Sequence, residues 1–527
     1  MFGKTKEYLK SKYGNPNDYT YKPDVDINAK YHYDYMRMRH DDFYIDDITW
    51  DDLDLDRVYE SSNHCLTTSG EQYLYYLLRR PCKDYKEFTQ RAECISYFEE
   101  NSEIRDKIRH QSYKLGKSKI ADIFNIFNEL KANPLQLLLF IATSITSVIL
   151  IILSILGNKA LIFYAFYLVS FNVGMHEVMV RRHKVKYASV NYTLDLYKTS
   201  NKIINILDKS GYSIDESVLK ARSKLNFLRF FGGFSIMKGQ DPFVVLDNIF
   251  LFDLIKLELV IKTLCDNKDE LFVLHSFIGK IDSAIAIGSY KKSLKEVSNP
   301  KINFDKGEKP FIKCEDFTHP GVKNCVPNSI ETEESILITG SNASGKSTYL
   351  KAIGINIVLA QSFTFALCKS YTATSFKLLS SMAVSDSIEE GDSYYVAEIK
   401  AIKRIIDYAA HGERIFCILD ELLRGTNTVE RVAAASTILK EISGYNLICL
   451  AATHDIELCR LLSDDYRQFH FRENVVGDHM TFDYKIQDGP TKTRNAIKLL
   501  SIMGFEEKII KDSEERANRF VTTGEWK

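Results

Sequence analysis

Apolar positions divide this chain into stretches of different period. Residues 1–40 are rich in Tyr, Lys and Asp without a clear period, which predicts a loosely held N-terminal arm. Over residues 41–133 apolar side chains recur at helical spacing (Leu66, Leu74, Leu77, Leu78, Ile95), with Pro81 as punctuation, so amphipathic helices are expected. Residues 135–156 carry no charged side chain at all. At 1.5 Å per residue such a helix spans roughly 33 Å, against a bilayer core of about 30 Å. Gly157, Asn158 and Lys159 read as a turn, and a second apolar run from Ala160 is interrupted by Asn172, His176 and Glu177. A helical hairpin over residues 134–180 follows, with membrane-crossing arms at 135–156 and 160–180. Residues 181–305 return to helical patterns of mixed charge. From 306 to 527, β-rich runs (Ile336 to Thr339, Ile415 to Leu419, Leu447 to Ala451) alternate with helices, which predicts an α/β domain with a largely parallel sheet.

Charge refines this picture. The formal net charge is -1, so no global field draws the chain to nucleic acid or anionic lipid. Lys198, Lys202, Lys209, Lys220, Arg222, Lys224 and Arg229 read either as phosphate contacts or as a solvated helix face. The acidic run from Asp41 to Glu60 reads as a solvated face or a helix start. Lys114, Lys117, Lys119 and Lys131 precede the hairpin and Arg181, Arg182, Lys184 and Lys186 follow it, whereas its turn offers only Lys159. Positive charge on both flanks places both termini on the cytosolic side of a cytoplasmic membrane. Residues 1–20 lack the apolar core of a signal peptide. The ten cysteines form no CxxC pair and no zinc spacing, and are expected to be idle thiols in a reducing compartment.

The densest chemistry lies in the α/β half. Gly340, Ser341, Asn342, Ala343, Ser344, Gly345, Lys346 and Ser347 spell G-x-x-x-x-G-K-S between a strand and the helix that Thr348 continues. The glycines let backbone N–H groups close around phosphates, and the helix N-terminus adds partial positive charge. Lys346 is expected on the β- and γ-phosphates of ATP and Ser347 on Mg2+. The strand ending at Leu419 runs into Asp420, a second Mg2+ ligand, and Glu421, placed to polarise the attacking water. His454, at the end of a third strand, is expected to sense the γ-phosphate. Arg424 to Asn427 suit a turn at a subunit contact.

These motifs resemble one branch of the phosphate-loop ATPases, the MutS family. The run from Ile338 to Gly354 is similar to the MutS phosphate loop, and Asp420 to Thr428 (DELLRGTNT) resembles its DE-x-x-RGT signature, with Leu423 where Gly is usual. ATHDIEL, the later Gln487-Asp488-Gly489 and the helical tail follow the family's order. Gly391 to Glu398 resembles the family's G-x-S-x-F-x-x-E loop, whose serine serves the partner's nucleotide, so Ser393 is expected to act in trans. Upstream, Thr67, Gly70, Leu74, Leu78, Pro81 and Arg91, with the segment IDSAIAIGSYKKSL and His319-Pro320, sit as in the MutS core.

The resemblance implies an ABC-type ATPase domain over 306–527, preceded by an all-α core and lever region, here carrying the transmembrane hairpin. It further implies ATP hydrolysis at sites shared in a homodimer, and binding of double-stranded or distorted DNA. The stretch before Asp41 is expected to be too short for the family's mismatch-reading and connector domains. No Phe-x-Glu wedge has a credible place, since Phe98-Glu99-Glu100 and Phe505-Glu506-Glu507 fall in helical patterns. A mechanical or scaffolding ATPase with a protein or lipid partner is the competing expectation. A transport ATPase is disfavoured because no LSGGQ-type signature is present.

Overall fold

The computed structural model describes residues 2–16, 27–118, 122–128, 131–182, 184–230, 246, 249–340, 344–382, 394–476, 479–490, 497, 500 and 504–523. Helices fill the first half, and an α/β domain follows from Lys301.

The helical half is organised by one close crossing. Thr67 caps the Thr68–Arg79 helix by accepting a hydrogen bond from Gly70 N. That first turn lies against the Lys268–Ser293 helix, where Asp282 Oδ2 accepts from Leu66 N, Thr67 N and Thr67 Oγ1 at 2.7–3.0 Å. A Cβ on Gly70 would sit 2.2 Å from Asp282 Oδ2, and one on Gly279 would sit 2.7 Å from Tyr73 Cβ. The crossing therefore requires both glycines. It joins the two upstream segments that the sequence singled out separately.

The N-terminal stretch differs from the loose arm its composition predicts. Helices Phe2–Lys12 and Ile27–Arg37 pack into the core, burying Leu9, Tyr13, His32 and Tyr33. His32 lies 5.0 Å from the Phe272 ring and 5.7 Å from His275. Aromatic burial of this kind needs no sequence period, because the partners come from distant elements. Of the two readings of the acidic run, a solvated face or a helix start, the second holds around Asp46. Asp46 caps the Asp47–Asp52 helix, and Asp52 is buried. Phe98 is fully buried in the Tyr85–Glu100 helix.

Asn133 caps the Pro134–Ile155 helix, with Pro134 in its first turn, and the antiparallel Leu161–Arg182 helix follows. Both are long and apolar enough to cross a membrane. Their burial is inverted relative to a water-soluble hairpin. The polar Ser144, Ser147 and Asn172 are buried alongside Phe140 and Ala165, while Leu135, Ile155, Phe163 and Tyr167 are 77–80% exposed. Asn172 Nδ2 donates to Ser147 Oγ and to Ile249 O. The Lys268–Ser293 helix is also apolar enough by composition, but 78% of its apolar window is buried within the protein, so it is a core helix.

The strands of the α/β domain are β1 (Lys301–Asn303), β2 (Ile312–Phe317), β3 (Asn328–Thr332), β4 (Ile336–Thr339), β5 (Ser370–Thr374), β6 (Lys377–Ser381), β7 (Ile415–Asp420), β8 (Leu447–Thr453), β9 (Arg467–Val476) and β10 (His479–Asp488). The main sheet has the order β10-β9-β4-β8-β7-β6 and is parallel except for the β9–β10 hairpin. β4, β7 and β8 read as near-continuous apolar runs because they are central strands covered on both faces. A smaller mixed sheet, β1-β5-β2-β3, has no counterpart in the sequence reading. The buried Lys346–Ser362 helix lies against β2 and the main sheet, and reaches the helical half at its C-terminus. There Arg91 Nη1 donates to Ser362 O and Cys82 N to Gln361 O, satisfying carbonyls that the helix leaves free. All ten cysteines are free thiols, and only Cys265 and Cys325 are half-buried rather than buried.

Candidate functional site

The site lies at the C-terminal ends of β4, β7 and β8, where an open parallel sheet places its ligands. Gly340 (φ +142°) leaves β4, and Gly345 (φ +102°) opens the Lys346–Ser362 helix. Both lie in the positive-φ region that favours glycine. Gly345 also has a neighbour, since a Cβ there would meet the Tyr484 ring at 3.1 Å. Lys346 is buried and donates from Nζ to Gly340 O, so its ammonium faces back across the loop mouth. Ser344 is buried, Ser347 half-buried, and Thr348 exposed at the mouth. Ser341, Asn342, Ala343 and Ser393 lie outside the described residues.

Asp420 is the last residue of β7 and pairs with Ala452 of β8. Although β8 separates β4 from β7, Ser347 Oγ donates to Asp420 Oδ2 at 2.6 Å. Asp420 Oδ1 is buried and has no hydrogen-bond partner among the described residues. Burial raises the Asp420 pKa, and the Ser347 hydrogen bond works against this. A buried carboxylate oxygen without a donor, beside a serine hydroxyl, is the arrangement a hard divalent cation completes. The residues therefore fit Mg2+.

Glu421 follows with φ +53°, and its amide donates to Ala452 O. Its Oε2 lies 2.8 Å from Arg424 Nε and 3.6 Å from His454 Nδ1. The His454 contact lowers the Glu421 pKa most, with Arg424 adding to it, while Glu421 raises that of His454. The two shifts agree in sign, as for a favourable ion pair. His454 leaves β8 next to Asp455, which is held bidentately by Arg431 at 2.7 and 3.0 Å. Arg431 stands on the Thr428–Ser443 helix, which Asn427 caps through Glu430 N. The residues 424–427 thus form a helix entry.

Beside the phosphate loop opens a cavity of about 400 Å³, lined by Phe317, Val326, Asn328, Gly345, Thr348 and Tyr484 among others. Asn328 holds its wall by donating to Tyr484 O and accepting from Ile486 N. Tyr484 sits at φ +54° within the irregularity between Phe482 and Ile486 of β10. Asn328, Tyr484 and Arg431 were not among the residues the sequence singled out. No periodicity or spacing marks them, because they join the site through strand pairing and helix packing.

A model of the family described as MutS domain V matches residues 336–521. Residues 336–521 thus form a MutS-type domain V. The chain is similar to the DNA mismatch repair protein MutS of Streptococcus sanguinis, at 31% identity over 209 residues, or 38% of this chain and 24% of that protein. It is similar to the DNA mismatch repair protein MutS of Fusobacterium nucleatum at 26% identity over 266 residues, covering 46% of this chain and 29% of that protein. It is also 30% identical to the human MutS protein homolog 4 over 201 residues, covering 36% of this chain and 21% of that protein. The match thus spans about a quarter of the length of these MutS relatives.

Proposed function

We propose that this chain is a membrane-anchored MutS-type ATPase, hydrolysing ATP at sites shared between two copies. The observation that carries the ATPase reading is the Ser347–Asp420 hydrogen bond with its orphaned Asp420 Oδ1, set beside Glu421 and His454. Lys346 would hold the β- and γ-phosphates, and the cavity edged by Tyr484 would take the base. Mg2+ held by Ser347 and Asp420 would neutralise phosphate charge. Glu421 would orient and polarise water, His454 would face the γ-phosphate, and Ser393 would serve the partner's nucleotide. Lys346→Ala should abolish nucleotide binding, while Glu421→Gln should bind nucleotide without turnover. Equal turnover in wild type and Glu421→Gln would remove Glu421 from this role. Mixing Ser393→Ala with Lys346→Ala should restore one working composite site, and no rescue counts against sharing.

The membrane reading rests on the inverted hairpin. In water the exposed apolar faces would be costly, at roughly 25 cal/mol per Å². In lipid they are at home, and the buried Asn172–Ser147 pair holds the helices together. Phe163, Tyr164, Phe166 and Tyr167 gather near the turn, as aromatic side chains do at a bilayer interface. Co-flotation of the full chain with vesicles after alkaline washing supports this anchor, and release into the wash refutes it.

For the partner, two readings stand. The names of the relatives support DNA. Against it, several of the cations proposed as phosphate contacts have protein partners: Lys198 with Asp195, Lys220 with Glu216, Lys224 with Glu270, and Arg222 with Asn205. That pairing favours a mechanical or scaffolding ATPase acting on a protein or lipid partner. ATPase rates with and without duplex, mismatched and branched DNA discriminate the two.

A further inference from the structure

Glu398 lies on the Tyr394–Ala410 helix, on a different element from the acids at the end of β7. Glu398 is 6% exposed, its Oε1 accepts the Leu423 amide, and its Oε2 has no hydrogen-bond partner among the described residues. The turn it touches departs from ordinary backbone. Glu421 has φ +53° and Leu423 φ +60°, a left-handed conformation that costs a non-glycine residue roughly 1–2 kcal/mol. Such strain persists only where surrounding contacts over-determine it.

Two contacts from one helix do so. Glu398 takes the Leu423 amide, and Tyr395 closes over Gly425, where a Cβ would meet Tyr395 Cβ at 3.1 Å. The turn so held carries Glu421 at its start and, three residues on, Arg424, whose Nε lies 2.8 Å from Glu421 Oε2. Relaxation of the turn would move Glu421 and its cation together.

We infer that Glu398 is a positioning residue for ATP hydrolysis, its buried carboxylate holding the left-handed 421–424 turn so that Glu421 faces the phosphate mouth. This rests on the ATPase reading above. Glu398 touches neither nucleotide nor water in this role. It acts through the backbone of Leu423, so ground-state binding of ATP by the phosphate loop does not depend on it.

The test is steady-state ATPase kinetics on the detergent-purified full chain, with binding of a fluorescent ATP analogue measured in parallel. Glu398→Ala should lower kcat by about tenfold or more, since small misplacement of a catalytic group is costly, with KM and analogue binding within about twofold. Glu398→Gln keeps an oxygen acceptor and should recover most of kcat. Adding Leu423→Gly to Glu398→Ala, which removes the strain to be held, should restore part of the loss. An unchanged kcat in Glu398→Ala, or loss of analogue binding in parallel with kcat, overturns the inference. Should Glu398→Ala not fold, Glu398→Gln decides: near wild-type kcat supports the acceptor role, and loss of analogue binding refutes it. A wild-type chain without ATPase activity refutes the ATPase reading itself, and this inference with it.

Discussion

Asp52, from the acidic run that reads as a solvated face or a helix start, is buried and accepts a hydrogen bond from Ser380 Oγ at 2.6 Å. The same Oδ2 accepts Met382 N at 3.0 Å, and Thr49 Oγ1 accepts Ser380 N at 3.1 Å. Nearby, Arg404 pairs with Asp46 at 2.9 Å and donates to Ser380 O. The Asp47–Asp52 helix is thereby bolted to the end of β6 and to the Tyr394–Ala410 helix. Asp52→Ala strands a buried hydroxyl and a buried amide at roughly 1–3 kcal/mol each. It should therefore lower stability by about 2–6 kcal/mol, read as a fall in the thermal midpoint of the detergent-purified chain. Asp52→Asn, which keeps an acceptor, should cost less.

Removing the Ser347 hydroxyl should act on the cation more than on the nucleotide. Ser347→Ala takes away one of two oxygens placed for Mg2+ and leaves Asp420 without its hydrogen bond. The Mg2+ concentration giving half-maximal ATPase should rise by about tenfold or more. Analogue binding in EDTA should stay close to wild type. An unshifted Mg2+ dependence would remove Ser347 from the metal site.

Leu423 stands where the family resemblance expects glycine, and it keeps the left-handed φ of +60° with its side chain 2% exposed. Burial of the side chain, worth about 1.5–3 kcal/mol, outweighs the backbone cost of about 1–2 kcal/mol. Both truncations should destabilise. Leu423→Gly should nevertheless be more stable than Leu423→Ala by about 1 kcal/mol, the reverse of the usual order. Thermal denaturation of the pair checks this, and the ordinary order would show that the turn relaxes.

The buried histidine pair should make the fold acid-sensitive. Burial pushes His275 down to about 3 and His32 well below its ordinary 6.5, the latter also through His275. Groups with lowered folded values stabilise fully above 6.5, and that contribution is lost as pH falls from 6.5 toward 3. Burial raises Asp122 to about 6, which has the opposite sign: its contribution is present below 3.8 and lost as pH rises through 6. Two histidines outweigh one carboxylate, so the thermal midpoint should drop between pH 7 and 5. His275→Asn should flatten that limb, and an identical limb in the variant would refute the assignment.

Much of the fold was legible because it is written locally. β4, β7 and β8 announce themselves as apolar runs, and the glycines at 340 and 345 stand where the backbone needs positive φ. The helical first half followed from apolar spacing. The smaller sheet was not legible, since β1 and β3 alternate buried and exposed positions over three and five residues, too short to register as a period. The packed N-terminal helices were missed because their burial comes from aromatic contacts across the fold.

The sequence by itself determined the phosphate loop, the acids at the end of β7 and the apolar character of the hairpin, because each depends on residue types within a few positions. Only the tertiary structure decided which Asp420 oxygen lacks a partner among the described residues, that Tyr484 borders the cavity beside the phosphate loop, that Glu398 reaches the Leu423 amide and that Asp52 is buried. These relationships join residues far apart in the chain, as Asp52 and Ser380 are at 328 positions. Local pattern fixes which element a residue occupies. Packing between elements, with the need to satisfy every buried polar group, fixes what that residue touches.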